Sequence, residues 1–358
     1  MAEAGCNDVT RSSDLYLEEE RISTEARGRQ LLQDECLELK DGESVAILRT
    51  HQEIEKDCEN IKCLGQGVSG LVTLVRYKGM LAVKKSPLKD NVFPNHFFID
   101  EGSILHELKG AGGAPRLLAL AIDSPVIIMT FCEGKLLQIS KPGDDIVDKD
   151  SWWLKVFLSV TKNVMDIHAL GCTHNDLHGI NIILSTKEDK DSPVTYLLDF
   201  GLAVMEDWGH TDEEEQLKRN APELDIRSLG YLLKGLILYH IKTSTSSHKE
   251  LWEGGLNELV YAMYNIDLTK VPPLSYVYQE LSRLLRLSME RQQLSLQPLN
   301  ITHQPTTSTS PSLIPIYTEK GMRVARYLSF PLTPPRPLTC SKISCDDVKH
   351  YKYKSKVK

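Results

Sequence analysis

His174-Asn175-Asp176-Leu177-His178-Gly179-Ile180-Asn181, followed by Asp199-Phe200-Gly201, sets three oxygen-bearing side chains on two short segments. H-x-D-L-x-x-x-N ahead of D-F-G is the arrangement that phosphoryl transfer needs. Asp176 would orient an attacking hydroxyl and accept its proton, while Asn181 and Asp199 would hold Mg²⁺ against the phosphates of a nucleotide. Upstream, Gly65-Gln66-Gly67-Val68-Ser69-Gly70-Leu71-Val72 fits G-x-G-x-x-G-x-V, in which missing side chains let the backbone close over phosphates. Taken alone, a glycine-rich turn between strands is equally an ordinary hairpin. Ala82-Val83-Lys84 then closes a strand, where a lysine would grip the α- and β-phosphates; a strand lysine followed by another, Lys85, is ordinarily a solvent-facing charge, so Lys84 rests on the apolar Ala82 and the glycine loop before it. Such a lysine needs a carboxylate from the next helix. Glu101, in phase with Ile104 and Leu105, is preferred to Asp100 and Glu107.

These residues require strands before the lysine and a helix after it. Leu71-Val72-Thr73-Leu74-Val75 and Met80-Leu81-Ala82-Val83 read as strands, Phe97 to Leu108 as a helix, and Val126 to Phe131 as a buried strand. From Trp152 the apolar spacing is helical, as in Val156 to Ile167, Leu229 to Leu238 and Leu256 to Tyr264. Residues 1–57 form an acidic extension, with a helix expected from Asp14 to Leu39 carrying Leu15, Ile22, Leu31 and Leu32. Residues 297–358 are rich in Pro, Ser and Thr, a composition that predicts disorder, and end in the basic run Lys349 to Lys358.

Composition narrows the class. The 358 residues suffice for one large or two modest domains, and a net charge of −7 with 25% charged residues argues against a nucleic-acid binder or a basic membrane-surface protein. The eight cysteines include no C-x-x-C pair and read as reduced thiols. Neither a signal-like start nor an apolar run near the about 18 residues of a membrane span is present, so a cytosolic protein, with nuclear entry open, is expected.

In order and spacing these motifs resemble those of the eukaryotic-type protein kinases, over about Glu59 to Arg286. The resemblance implies an α+β, bilobal protein kinase-like fold spanning residues 58–290, with a small β-rich first lobe carrying one helix (about 58–131) and a mainly α second lobe (about 134–290). It implies ATP and Mg²⁺, with Val72, Ala82 and Ile183 sandwiching the adenine ring. Met129 would guard the back of the pocket, and Thr130, Phe131, Cys132 and Glu133 would form the hinge. It also implies that His174 packs buried against Phe200 and that Asp225 anchors the backbone of the 174–181 loop, a role compatible with a helix N-cap. The activity implied is γ-phosphate transfer to a protein substrate, at Ser or Thr because the loop lacks the Arg/Ala pattern of tyrosine kinases.

The chain departs from that pattern at identifiable places. Asn175 replaces an arginine that in many kinases answers a phosphate on the activation segment, and asparagine makes no charge-assisted fork. Asp212-Glu213-Glu214-Glu215 would repel a phosphate added nearby. His178 replaces a lysine expected near the γ-phosphate, as in small-molecule phosphotransferases. Ala221-Pro222-Glu223 fits A-P-E, yet Asp225 follows almost at once, and Lys270 is only a weak substitute for the arginine that pairs with that Glu. A nucleotide-holding scaffold and a small-molecule phosphotransferase are therefore the alternative functions.

Overall fold

A computed structural model describes residues 24–38, 44–67, 70–88, 95–140, 146, 148–185, 192–208, 221–243 and 255–296. The chain is α+β. Residues 24–32 form helix α1, whose buried positions Thr24, Gly28 and Leu32 recur at the i, i+4, i+8 spacing of one helical face. The helix expected to reach Leu39 stops here, because Cys36–Glu38 (β1) pairs antiparallel with Ser44–Ala46 (β2) and satisfies its backbone in a ladder instead. Residues 14–23 lie outside the described residues. Helix α2 (His51–Asp57) is short and begins in a capping box, with Thr50 and Glu53 each accepting from the other's backbone N–H. Its one buried side chain, Ile54, is fully enclosed.

Strands β3 (Cys58–Gln66), β4 (Leu71–Tyr77), β5 (Met80–Ser86), β6 (Leu117–Ala121) and β7 (Val126–Thr130) form one antiparallel sheet of order β3-β4-β5-β7-β6. The β4–β5 hairpin turns through Lys78 and Gly79 alone, with φ of +46° and +78°. Two residues of positive φ make the turn type whose twist matches antiparallel strands. Lys78 is held in that uncommon conformation from α2: its N–H donates to Asp57 O at 3.2 Å and its Nζ lies 3.2 Å from Asp57 Oδ2. The turn pairs Tyr77 with Met80 and so fixes every later pair, Val75 with Ala82, Thr73 with Lys84 and Val72 with Lys85. One face of the sheet buries Val75, Tyr77, Ala82, Ala119 and Ile128 against Ile54 of α2. The other contributes Ile127 and Met129 to the main core, with Val83 packed beside them.

Helix α3 (His96–Leu108) crosses that second face, burying Phe98, Ile99, Glu101, Ile104, Leu105 and Leu108. Beyond β6 the chain adds a further ladder: Leu48 bridges Leu120 in parallel, Leu120 N–H donates to Ile47 O at 2.9 Å, and Arg49 N–H to Leu120 O at 3.0 Å. The later part of the chain is mainly helical: α4 (Lys149–His168), α5 (Glu223–Thr243), α6 (Asn257–Met263) and α7 (Leu274–Leu296). Ser151 of α4 and Ser288 of α7 share a buried hydrogen bond of 3.0 Å. Among the described residues no helix is long and apolar enough to cross a membrane. The expected disordered tail and its basic end lie outside the described residues.

Candidate functional site

Short antiparallel ribbons hold the two chemistry-bearing loops. Cys172–Thr173 (β9) pairs with Val204–Met205 (β12), while Ile182–Leu184 (β10) lies between Lys135–Leu136 (β8) and Thr195–Leu197 (β11). The 174–181 loop runs from β9 into β10, and the loop carrying Asp199 runs from β11 into β12. Pairing strand by strand thus delivers both loops together. A backbone hydrogen bond of 2.8 Å from Leu198 N–H to Asn181 O ties them.

Within the first loop, Asn181 Nδ2 donates to both Asp176 O and Asp176 Oδ2 at 3.0 Å. With its amide hydrogens so engaged, Asn181 offers Oδ1 as its remaining acceptor. His178 Nε2 stands 3.4 Å from the same Asp176 oxygen. Asp225, in the first turn of α5 and fully buried, anchors the loop backbone. Its Oδ2 accepts from His174 N–H and its Oδ1 from Asn175 N–H, both at 2.8 Å, and His168 Nε2 lies 2.8 Å from Oδ2. Those bonds hold Asn175 at φ +62°, a left-handed conformation that asparagine tolerates better than most residues. Asn175 Nδ2 in turn donates to Leu202 O at 3.2 Å, tying this loop to the one after Gly201.

His174 is fully buried and its ring lies 4.7 Å, centroid to centroid, from that of buried Phe200. Its Nδ1 accepts from Asp176 N–H at 3.3 Å, which leaves Nε2 as the donor to Leu198 O at 3.0 Å. This is the neutral tautomer, and burial holds the imidazole below its ordinary pKa. Because the unfolded chain binds the proton more readily, stability is full above the unfolded value of about 6.5 and falls as pH drops below it. His174→Phe is expected to flatten the fall in stability between pH 6.5 and 5.5, read from urea unfolding at the two pH values.

The expected lysine assignment is corrected. Lys84, paired with Thr73, lies on the α2 side of the sheet, where its Nζ bonds Glu55 Oε1 at 3.0 Å. Lys85, not Lys84, is the lysine that meets the α3 carboxylate. Its Nζ donates to Glu101 Oε2 at 2.6 Å, Glu101 Oε1 at 2.9 Å and Asp199 Oδ1 at 2.7 Å. Burial opposes the charge, but the Glu101 and Asp199 carboxylates outweigh it and hold the Lys85 pKa above its ordinary value. Asp199 likewise sits below its ordinary value, burial being overcome by Lys85. Glu101, chosen over Asp100 and Glu107, is the α3 carboxylate that meets this lysine, although Lys84 is not its partner.

The same one-residue offset moves Ala82 into the small core behind the sheet. Val83 takes the face shared by Lys85, Val72 and Met129, because residues paired across antiparallel strands project to one side. Gly65 and Gly67 have open space where a Cβ would stand, whereas a Cβ on Gly70 would fall 2.5 Å from Ser86 O and 3.1 Å from Phe98 Cζ. Only glycine fits there. Val68 and Ser69 lie outside the described residues. After Met129, Thr130 exchanges backbone and Oγ1 bonds with Arg116, and the chain passes through Phe131 and buried Cys132. Burial pushes the Cys132 thiol up to about 11. Ile183 of β10 pairs with Leu136. Asp199 itself holds φ +60°, a second left-handed residue at this site.

Among the described residues no group of three or more His, Cys, Asp and Glu could hold a metal ion by itself. Mg²⁺, however, is commonly held by one or two protein oxygens completed by phosphate and water. Asn181 Oδ1 and the Asp199 carboxylate are oxygen donors of that kind. Compared with models of known protein families, the chain matches none.

Proposed function

We propose that this chain is an ATP- and Mg²⁺-dependent phosphotransferase with the bilobal protein kinase-like fold, acting on a serine or threonine hydroxyl of a protein. The observation that carries the reading is Lys85, a buried cation bonded at once to Glu101 of α3 and to Asp199 of the D-F-G turn. A lysine so fixed is suited to grip the α- and β-phosphates under the Gly65–Gly70 loop. Asn181 and Asp199 would hold Mg²⁺, which when bound neutralises charge on the β- and γ-phosphates. Asp176, steadied by Asn181, would orient the acceptor hydroxyl and take its proton. Catalysis would then be positioning and charge stabilisation without a covalent enzyme intermediate.

Asp176→Asn is expected to abolish γ-phosphate transfer while leaving ATP binding nearly intact. The check is radiolabelled transfer to a generic basic protein and to pooled metabolites, with ATP affinity followed by thermal shift. Transfer by Asp176→Asn at the wild-type rate overturns the reading. A specific observation favours a second acceptor class. Helix α5 begins at Glu223 with Asp225 in its first turn, so Ala221-Pro222-Glu223 runs straight into that helix. Little chain remains there to dock a peptide, which favours a small-molecule hydroxyl. The metabolite pool separates the two.

A further inference from the structure

The acidic extension carries a helix whose neighbours are the two elements that meet at Lys85. A Cβ built on Gly28 of α1 would lie 2.8 Å from Ile99 Cγ2, 3.5 Å from Ser103 Oγ and 3.8 Å from Ile122 Cδ1, so α1 packs backbone-close on α3. Helical geometry sets Glu101 about 160–200° around α3 from Ile99 and Ser103. α1 therefore presses on the side of α3 turned away from Lys85. The next residue toward the N-terminus, Arg27, places its guanidinium carbon 5.0 Å from the ring centroid of Trp208, just past β12 on the segment that begins with Asp199. Trp208 is itself packed against the main core, and its backbone N–H donates to Met205 O at 3.2 Å. Leu32, at the end of α1, is fully buried in that same core.

We propose that Arg27 and Gly28 are positioning residues: through them α1 clamps α3 and the segment following Asp199-Phe200-Gly201 in the arrangement that brings Glu101 and Asp199 to Lys85. The proposal rests on the phosphotransferase reading for its effect on rate, but not for its effect on local structure. A cation over an indole is worth enough to change a two-state population several-fold. A side chain on Gly28 would have to displace the Ile99 side chain or α1 itself.

In the full chain, Arg27→Ala is expected to speed amide exchange in α3 and in residues 199–208 about 3- to 10-fold and to lower kcat by a similar factor. Arg27→Lys should recover part of both losses. Trp208→Ala should reproduce them, and the double variant should be no worse than the more affected single one. Gly28→Val should exceed them all, and Arg27→Ala serves as the test where Gly28→Val does not fold. Unchanged exchange in Arg27→Ala and Trp208→Ala overturns the clamp, as does strict additivity, or faster exchange with unaltered kcat in an active wild type. If wild-type protein transfers phosphate to no acceptor, the phosphotransferase reading falls, and the exchange rates alone decide the clamp.

Discussion

Lys85→Met is expected to lower phosphate transfer about 10²–10³-fold, the usual loss for one positioned electrostatic group, whereas Lys84→Met should stay within about threefold of wild type. The two residues are neighbours in sequence, yet they end on opposite faces of β5. Lys85 is bonded to two carboxylates, and Lys84 to the half-exposed Glu55. Stability should separate them as well. Glu101 is only 3% exposed, so losing Lys85 leaves a buried carboxylate without its cation, held only by the backbone N–H of Phe200, at a cost of about 3–5 kcal/mol. Adding Glu101→Gln to Lys85→Met should recover much of that cost, since it removes the stranded charge, but none of the rate. Urea unfolding and steady-state transfer measure the two effects apart. A larger rate loss in Lys84→Met than in Lys85→Met would overturn the assignment.

Asp225→Ala carries the other large expectation. Two backbone N–H groups, of His174 and Asn175, would lose their acceptor inside the protein, each at about 1–3 kcal/mol. The unfolding midpoint should fall accordingly, and amide exchange at residues 174–176 should rise before global unfolding. Asp225→Asn should recover only part, because one of its two acceptor oxygens becomes a donor facing a donor. Asn175, held at φ +62°, would lose the bond that keeps it there. Phosphate transfer should drop with it, as Asp176 is the next residue.

What the sequence made legible was local. The strands around Gly79, the helix carrying Glu101 and the loop holding Asp176 and Asn181 follow from apolar period, turn residues and motif order. The lysine was missed because a run of two lysines gives both readings, and the pattern Ala-x-Lys favoured the wrong one. The deciding signal was present in Lys78-Gly79. A two-residue turn pairs Tyr77 with Met80, and counting back puts Val72 opposite Lys85. Strand register decides a face where motif spacing alone is ambiguous by one residue. The partners of α1 had no such signal. Arg27 and Trp208 are far apart in the chain, and a helix period reveals a buried face without revealing what covers it.

The ladder between residues 47–49 and β6 changes where this folded unit starts. An antiparallel sheet whose last strand shows bare N–H and C=O groups invites pairing with another molecule. Here Ile47 and Arg49 occupy those groups on Leu120, while Ile54 caps one face of the sheet and Leu32 and Ile47 fill the core on the other. A fragment cut at Cys58, where the motif-bearing part begins, would bare a sticky edge and two apolar surfaces together. A fragment that keeps this ladder, Ile54 and the whole of helix α1 as described begins no later than Thr24. The segment ahead of the glycine loop thus covers the β6 edge and packs on both faces of the sheet.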